Sequence, residues 1–94
     1  MEARVTKVSV LGAGLMGHGI AQVASQVGGY DVSMLDINQE LVDKGMKMID
    51  GSVSKFVEKG KLTKAQADAV VSRIHPTTDL ATAVSGSQLV IEAA

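Results

Sequence analysis

Cysteine and tryptophan are absent from this chain, and tyrosine, phenylalanine and proline occur once each among its 94 residues. Without cysteine the chain has no disulfide and no thiolate chemistry, and nothing in it indicates an oxidising compartment. It also lacks any apolar run near the roughly 20 residues that a membrane-spanning helix needs. The net charge of −1 gives no excess of basic residues for binding nucleic acid or an anionic membrane.

The N-terminus is too short for a targeting sequence, because the first strand-like segment begins at Val5. We therefore expect a cytoplasmic protein, or a protein of the mitochondrial matrix whose presequence has been removed. The content of 46% hydrophobic and 20% charged residues is that of one ordinary globular domain. With so few aromatic residues, its core must consist of valine, leucine, isoleucine, methionine and alanine side chains.

Hydrophobic periodicity predicts strands and helices in alternation. The strands are expected at residues 5–11, 30–35, 73–75 and 88–92, and the helices at about residues 16–27, 38–60, 63–72 and 79–84. The last strand is apolar throughout, as in a parallel sheet that is buried on both faces. This order predicts an α/β fold with a parallel sheet.

The ends of the predicted helices have recognisable signals. Gly28 and Gly29 are expected to end the first helix in left-handed conformations. Asn38 is expected to cap the second helix, with Ile37 packed on Val42. Residues 63–66 have the sequence of a capping box, which predicts that a separate, shorter helix begins there.

A glycine-rich segment joins the first predicted strand to the first predicted helix, a placement that turns a weak G-x-G-x-x-G pattern into a specific signal for dinucleotide binding. Gly12 permits the tight turn, Gly14 lets the backbone approach a pyrophosphate, and Gly17 allows close packing of helix on strand. The first amides of the helix then point at the phosphates. The alternative is a glycine-rich turn without a ligand. The expected cofactor-binding residues of this segment are Gly12, Ala13, Gly14, Leu15, Met16 and Gly17.

Asp36 ends the second predicted strand. A carboxylate at this position is expected to accept hydrogen bonds from the adenosine ribose and to repel a 2′-phosphate. Neither Ile37 nor Asn38 offers a cation for such a phosphate, so NAD is favoured over NADP. The alternative is an acid that caps the following helix, for which Asn38 is better placed.

The predicted strand–helix–strand unit of residues 5–36 indicates a Rossmann-type doubly wound parallel sheet. The chain is expected to provide its N-terminal portion, as an incomplete NAD-binding domain over residues 1–94. Two successive helices form a helical arm at about residues 38–72, after the second strand. The last predicted strand is followed by no turn or polar tail, so we expect the sequence to be the N-terminal part of a longer protein.

Several other polar residues keep two interpretations each. Six lysines on and beyond the second long helix form either a solvated face or an anion site for a phosphorylated substrate. His18 and His75 have no recognisable partner for acid–base chemistry, and structural roles are favoured for both. Glu92 is either a site residue or a strand-end acid, and no spacing typical of metal ligands occurs. The six lysines are Lys44, Lys47, Lys55, Lys59, Lys61 and Lys64.

The chain resembles the N-terminal part of 3-hydroxyacyl-CoA dehydrogenases. The most specific match is the string Gly-Leu-Met-Gly-His-Gly-Ile-Ala-Gln at residues 14–22, which extends the glycine pattern. A second specific match is Lys-Gly-Lys-Leu-Thr at residues 59–63. Shorter matches occur at residues 32–36, 73–74, 78–80 and 89–93, so the resemblance covers nearly the whole chain.

The resemblance implies NAD-dependent oxidation of (S)-3-hydroxyacyl-CoA to 3-ketoacyl-CoA in fatty acid metabolism, as in β-oxidation. A 3-hydroxybutyryl-CoA dehydrogenase is a close variant. In the family the helical arm reaches toward acyl-CoA and contacts it through a serine and a lysine seven residues later, which correspond to Ser52 and Lys59. The resemblance also implies a homodimer for the full-length protein.

The family's catalytic histidine and glutamate correspond to positions beyond residue 94, as does the C-terminal helical domain. No catalytic residue is therefore expected within this chain, and we expect the 94 residues alone to have no dehydrogenase activity. Two other functions remain open from the sequence. One is a non-catalytic NAD-binding module, and the other is a Rossmann dehydrogenase for a different 3-hydroxy acid.

Overall fold

Four parallel strands form one sheet in the order β3-β2-β1-β4, with helices between them. A computed structural model describes residues 5–93 of the chain. The elements are β1 (Lys7–Leu11), α1 (Leu15–Gln26), β2 (Asp31–Leu35), α2 (Gln39–Glu58), α3 (Lys64–Ser72), β3 (Ile74–Thr77), α4 (Leu80–Val84) and β4 (Leu89–Glu92). This architecture confirms the predicted Rossmann-type α/β fold, including two successive helices after the second strand.

The centre of the sheet is β1, which pairs with β2 on one side and β4 on the other. Val8 and Val10 lie on one face of β1, and they are buried together with Val32 and Met34 of β2. Burying each of these side chains contributes about 1.5–3 kcal/mol. The hydrophobic effect on this face therefore fixes the position of the strand from which the glycine segment begins.

The opposite face of β1 is polar where it meets α4. Ser9 points away from Val8 and Val10, since successive side chains alternate across a strand. Its buried hydroxyl donates to the carbonyl oxygen of Ala83 in α4 and is also hydrogen-bonded to the Ser87 hydroxyl. These bonds satisfy a buried polar group that would otherwise destabilise the fold.

The helical arm consists of α2 and α3. In α2, Val42, Ile49 and Val53 form one buried stripe, as their helical spacing predicts. The turn to α3 is a Schellman motif, in which Gly60 adopts a left-handed φ of 71° and the Lys61 amide donates to the Phe56 carbonyl at 2.9 Å. The capping box of Thr63 and Gln66 then begins α3, as predicted. The arm therefore has a fixed turn between its two helices.

Some local predictions need correction. Of the two glycines after α1, only Gly29 has a left-handed φ, at 68°. Asn38 caps α2 as predicted, and its side chain accepts from the Leu41 amide at 2.9 Å. Ile37 does not pack on Val42, because its side chain is 86% exposed.

The prediction that the last strand is buried on both faces is wrong for the described residues. Leu89 and Val90 are each 46% exposed, because β4 is an edge strand and pairs with β1 alone. At the other edge, β3 continues through Pro76 to Thr77, two residues beyond the end predicted at residue 75. An edge strand tolerates proline because its outer side needs no amide donor. Within residues 5–93, none of the helices combines the length and the apolar character that crossing a bilayer requires.

Candidate functional site

The glycine segment, residues 12–17, makes a sharp turn between β1 and α1. Gly12 has a φ of 122°, a conformation that side chains disfavour, and its amide donates to the Leu35 carbonyl at 2.7 Å. A Cβ added to Gly17 would lie 1.8 Å from the Gly12 carbonyl oxygen. The absence of a side chain at Gly17 is therefore what allows the first turn of α1 to pack on the segment.

Gly14 has a different role. It is the N-cap of α1, it is exposed, and a Cβ placed on it would have no heavy atom within 4 Å. The fold itself therefore does not require a glycine there, and the open space lies in front of the helix N-terminus. Because Gly14 has no side chain to cap the helix, the amides of the first turn are free of an N-cap acceptor, an arrangement suited to an anion.

The glycine segment also packs against α2. A Cβ added to Gly45 would lie 2.8 Å from the Ala13 carbonyl oxygen and 3.1 Å from the Ala13 Cβ. Gly45 thus lets the second helix approach the turn closely. This contact explains a glycine inside a helix, where it costs about 1 kcal/mol relative to alanine.

Asp36 joins the end of β2 to the glycine segment. Its Oδ2 accepts from the Ala13 amide at 2.8 Å, and its Oδ1 accepts from the Ile37 amide at 2.7 Å. A carboxylate has about four acceptor positions, so each oxygen still has room for one hydroxyl. The half-buried carboxylate is therefore oriented by the backbone and remains available to a ligand.

A cleft of about 460 Å³ opens beside Asp36, at the carboxyl ends of the strands. Its walls include the exposed apolar side chains of Ile37 and Leu80, which are 86% and 55% exposed. Glu92, at the end of β4, also lines it. Neither Ile37 nor Leu80 was predicted as a site residue from the sequence, although an isoleucine directly after the strand-end acid is a signal that could have indicated Ile37. Apolar walls beside an oriented carboxylate suit an aromatic base joined to a ribose.

The predicted substrate residues Ser52 and Lys59 line one small cleft of about 190 Å³ near the end of α2. Lys55, Phe56 and Lys61 complete its lining. Lys61 reaches this cleft because the left-handed Gly60 turns the chain back along the helix.

The other three lysines of the predicted group lie elsewhere. Lys44 and Lys47 are on an earlier part of α2, beside Glu40 and Asp43. Lys64 forms an exposed ion pair with Asp68 at 3.2 Å. Half of the six lysines therefore converge on the cleft, whereas the rest belong to solvated surfaces.

Ser52 has a partner on α1 that the sequence did not suggest. Gln22 is 9% exposed, and its Nε2 donates to the Ser52 hydroxyl oxygen at 2.9 Å. The other buried residues of α1 are small, so a long polar side chain among them is the signal that the sequence offers. These other residues are Gly17, Ala21 and Ser25.

The two histidines have local partners. The Nδ1 of His18 lies 2.7 Å from the Gly14 carbonyl oxygen, one turn earlier in α1. His75 Nε2 lies 3.8 Å from the Asp31 carboxylate, and both side chains are more than half exposed. Asp31 begins β2, so this contact lies away from the strand ends that form the larger cleft. Neither arrangement indicates acid–base catalysis.

Comparison with known proteins places these features in a family. Residues 7–94 match the family described as "3-hydroxyacyl-CoA dehydrogenase, NAD binding domain". A probable 3-hydroxybutyryl-CoA dehydrogenase of Deinococcus radiodurans is 54% identical over 74 residues, which are 79% of this chain and 26% of that protein. The 3-hydroxyadipyl-CoA dehydrogenase of Escherichia coli is 37% identical over 94 residues, covering all of this chain and 19% of that protein.

Solved structures agree. The (S)-3-hydroxybutyryl-CoA dehydrogenase of Ralstonia eutropha matches with a TM-score of 0.92 and 36% identity, over 97% of this chain and 31% of that one. A diketoreductase structure, reported for catalysis on dicarbonyl compounds, matches with a TM-score of 0.82 and 33% identity, over 99% of this chain and 33% of that one. The chain thus spans about a third or less of the length of these relatives.

Proposed function

The chain belongs to the NAD-binding domain family of the 3-hydroxyacyl-CoA dehydrogenases, and from this premise we propose that it is the cofactor-binding part of an enzyme that oxidises (S)-3-hydroxyacyl-CoA to 3-ketoacyl-CoA. A 3-hydroxybutyryl-CoA dehydrogenase, working in either direction, is included in this proposal. When bound, NAD supplies the hydride acceptor for the substrate's C3. The residues of this chain bind and orient the cofactor and the substrate, and none of them is proposed to be catalytic.

The glycine segment fits the pyrophosphate of NAD. The open space in front of Gly14 leaves the backbone accessible, and the amides of the first turn of α1 face it. Gly12 and Gly17 hold this geometry through the tight turn and the close packing. We therefore assign pyrophosphate binding to the backbone of residues 12–17.

Asp36 fits the adenosine ribose. Its carboxylate is fixed by the Ala13 and Ile37 amides and keeps acceptor positions for ribose hydroxyls. The adenine would lie between Ile37 and Leu80, whose exposed side chains would then be covered. A 2′-phosphate would meet the negative charge of Asp36, which favours NAD over NADP.

The observation that best supports an acyl-CoA substrate is the cleft that contains both Ser52 and Lys59. Lys55, Lys59 and Lys61 bring three positive charges to it, and Phe56 offers a ring face. Coenzyme A has several phosphate charges and an adenine, so lysines and an aromatic ring match its chemistry. Because the lysines are exposed, their attraction for the ligand decreases with ionic strength.

The test is coenzyme A binding by charge-reversed variants in low-salt buffer, measured by calorimetry. Lys59→Glu is expected to weaken binding about tenfold or more, because it replaces an attraction with a repulsion inside the cleft. Lys47→Glu is the matched control, since it makes the same charge change on α2 outside the cleft. Equal effects of the two reversals would contradict the proposed substrate site.

A dehydrogenase for another substrate is the second candidate, and the similarity to a diketoreductase favours it. Such an enzyme would share the NAD site but would not need the lysine cleft. It predicts that NAD binds normally while coenzyme A binds neither the unchanged chain nor its variants. A homodimer, and a location in the cytoplasm or the mitochondrial matrix, stay predictions of the sequence analysis.

A further inference from the structure

Gln22 links the helix of the cofactor site to the helix of the lysine cleft. It lies on α1, which begins at the glycine segment, and its Nε2 donates to the Ser52 hydroxyl on α2 at 2.9 Å. The same nitrogen donates to Gln26 Oε1 at 3.1 Å. With both amide hydrogens used in this way, the side chain is held in one orientation inside the interface between α1 and α2.

This contact determines which hydrogen-bonding role is left to Ser52. A serine hydroxyl has one hydrogen to donate and two acceptor positions. Because Gln22 occupies an acceptor position, the hydrogen of Ser52 is free to be donated toward the cleft. A phosphate or carbonyl oxygen, which only accepts, is the matching ligand atom.

A second contact fixes α1 to the rest of the arm. The Ser25 hydroxyl, one turn beyond Gln22, donates to the Val70 carbonyl of α3 at 2.7 Å. The Arg73 guanidinium, at the end of α3, also donates to the Ser25 carbonyl at 2.8 Å. These contacts of Ser25 with α3 are purely structural. Among these hydrogen bonds between α1 and the arm, the one from Gln22 ends on a residue of the cleft.

We propose that Gln22 is a positioning residue that makes Ser52 a hydrogen-bond donor to an oxygen of acyl-CoA. The proposal rests on the proposed function, because it takes the cleft of Ser52 and Lys59 as the site of the coenzyme A moiety. It adds a residue on α1 to a site whose other residues lie on the arm. This residue lies on the helix whose N-terminus faces the proposed NAD pyrophosphate site, but outside that site.

The test replaces Gln22 with glutamate and measures coenzyme A and NAD binding separately, at about pH 8 to keep the new carboxyl ionised. A carboxylate only accepts, so it would take the Ser52 hydrogen and remove it from the ligand. Gln22→Glu is expected to weaken coenzyme A binding about tenfold, as Ser52→Ala does, and to leave NAD binding unchanged. In the Ser52→Ala background, Gln22→Glu should have no further effect.

Two further variants control for charge and for folding. Gln26→Glu adds the same charge one turn away and keeps the acceptor for Gln22, so it should bind coenzyme A normally. Gln22→Met keeps the length of the side chain but removes the hydrogen-bond donor, so it should weaken coenzyme A binding severalfold. It provides the test if Gln22→Glu does not fold. Urea unfolding shows which variants are folded.

Each contrary result has a distinct meaning. The proposal is overturned, with the proposed function intact, if Ser52→Ala weakens coenzyme A binding while Gln22→Glu and Gln22→Met do not. Equal losses of coenzyme A and NAD binding in the Gln22 variants would also overturn it, since they would show a purely structural role. If neither Ser52→Ala nor Lys59→Glu changes coenzyme A binding, the substrate site itself is wrong and the proposal fails with it.

Discussion

Asp36 Oδ2 lies 2.8 Å from the backbone nitrogen of Ala13, so the acid that ends β2 holds the glycine segment that follows β1. One side chain thereby orients two parts of the proposed cofactor site. It positions the backbone that would meet the pyrophosphate, and it offers its remaining acceptor positions to the ribose. Loss of this side chain should therefore affect cofactor choice as well as affinity.

Replacing Asp36 separates these two effects. Asp36→Ala removes both the charge and the acceptor for Ala13, so NAD binding should fall about tenfold. NADP should improve relative to NAD, because the repulsion of its 2′-phosphate is gone. Asp36→Asn keeps an acceptor for the Ala13 amide and removes the charge, so it should shift the preference with less loss of affinity. Calorimetric dissociation constants for both cofactors measure this, and an unchanged ratio in Asp36→Ala would show that the ribose assignment is wrong.

Gly17 should tolerate no side chain. In Gly17→Ala the new Cβ would lie 1.8 Å from the Gly12 carbonyl oxygen, so either α1 or the glycine segment must move. We expect a loss of stability of about 1–3 kcal/mol and loss of NAD binding. Gly19→Ala is the control on the same helix, because its Cβ would have no heavy atom within 4 Å. Urea unfolding measures the stability of both variants, and equal behaviour would contradict the close packing at Gly17.

The two glycines inside α2 should respond in opposite directions. Gly51 is exposed and its Cβ would meet nothing within 4 Å, so Gly51→Ala should stabilise the fold by about 0.5–1 kcal/mol. Gly45→Ala should destabilise it, because the Cβ would lie 2.8 Å from the Ala13 carbonyl oxygen. The difference in unfolding free energy between the two variants checks this. A stabilising Gly45→Ala would mean that α2 does not press on the glycine segment.

Asp79 should make the start of α4 sensitive to acid. A hydrogen bond from the Thr82 hydroxyl, and a second from the Thr82 amide, lower the pKa of this exposed carboxyl. Because the folded state lowers the pKa, the cap stabilises the fold above the ordinary pKa and is lost as the pH falls below about 4. Asp79→Asn keeps a cap that does not titrate, so its unfolding free energy should fall less steeply with acid, and Thr82→Val should weaken the dependence similarly. Parallel curves of unfolding free energy against pH for all three proteins would contradict this.

The local signals of the sequence predicted much of the fold. The caps at Asn38 and Thr63 and the glycine segment were predictable because each involves residues close along the chain. The positions of Gly12 and Gly17 predicted their conformational and packing roles for the same reason.

Contacts between distant residues were not predictable from single segments. The bond from Gln22 to Ser52 spans 30 positions and depends on how α1 crosses α2. The exposure of Leu89 depends on β4 being at the edge of the described sheet, and an apolar strand has the same sequence pattern at the centre and at the edge of a sheet. The convergence of Lys61 with Lys59 depends on the left-handed turn at Gly60, which spacing on a continuous helix does not reveal.

A sequential calorimetric titration tests the central claim most directly, with NAD added first and coenzyme A added to the NAD-saturated chain. The glycine segment with Asp36 and the cleft with Ser52 and Lys59 have no lining residue in common. The account therefore predicts two saturable binding events, with coenzyme A binding as tightly to the NAD-saturated chain as to the free chain. Absence of NAD binding, or coenzyme A that displaces NAD from a single site, would contradict it.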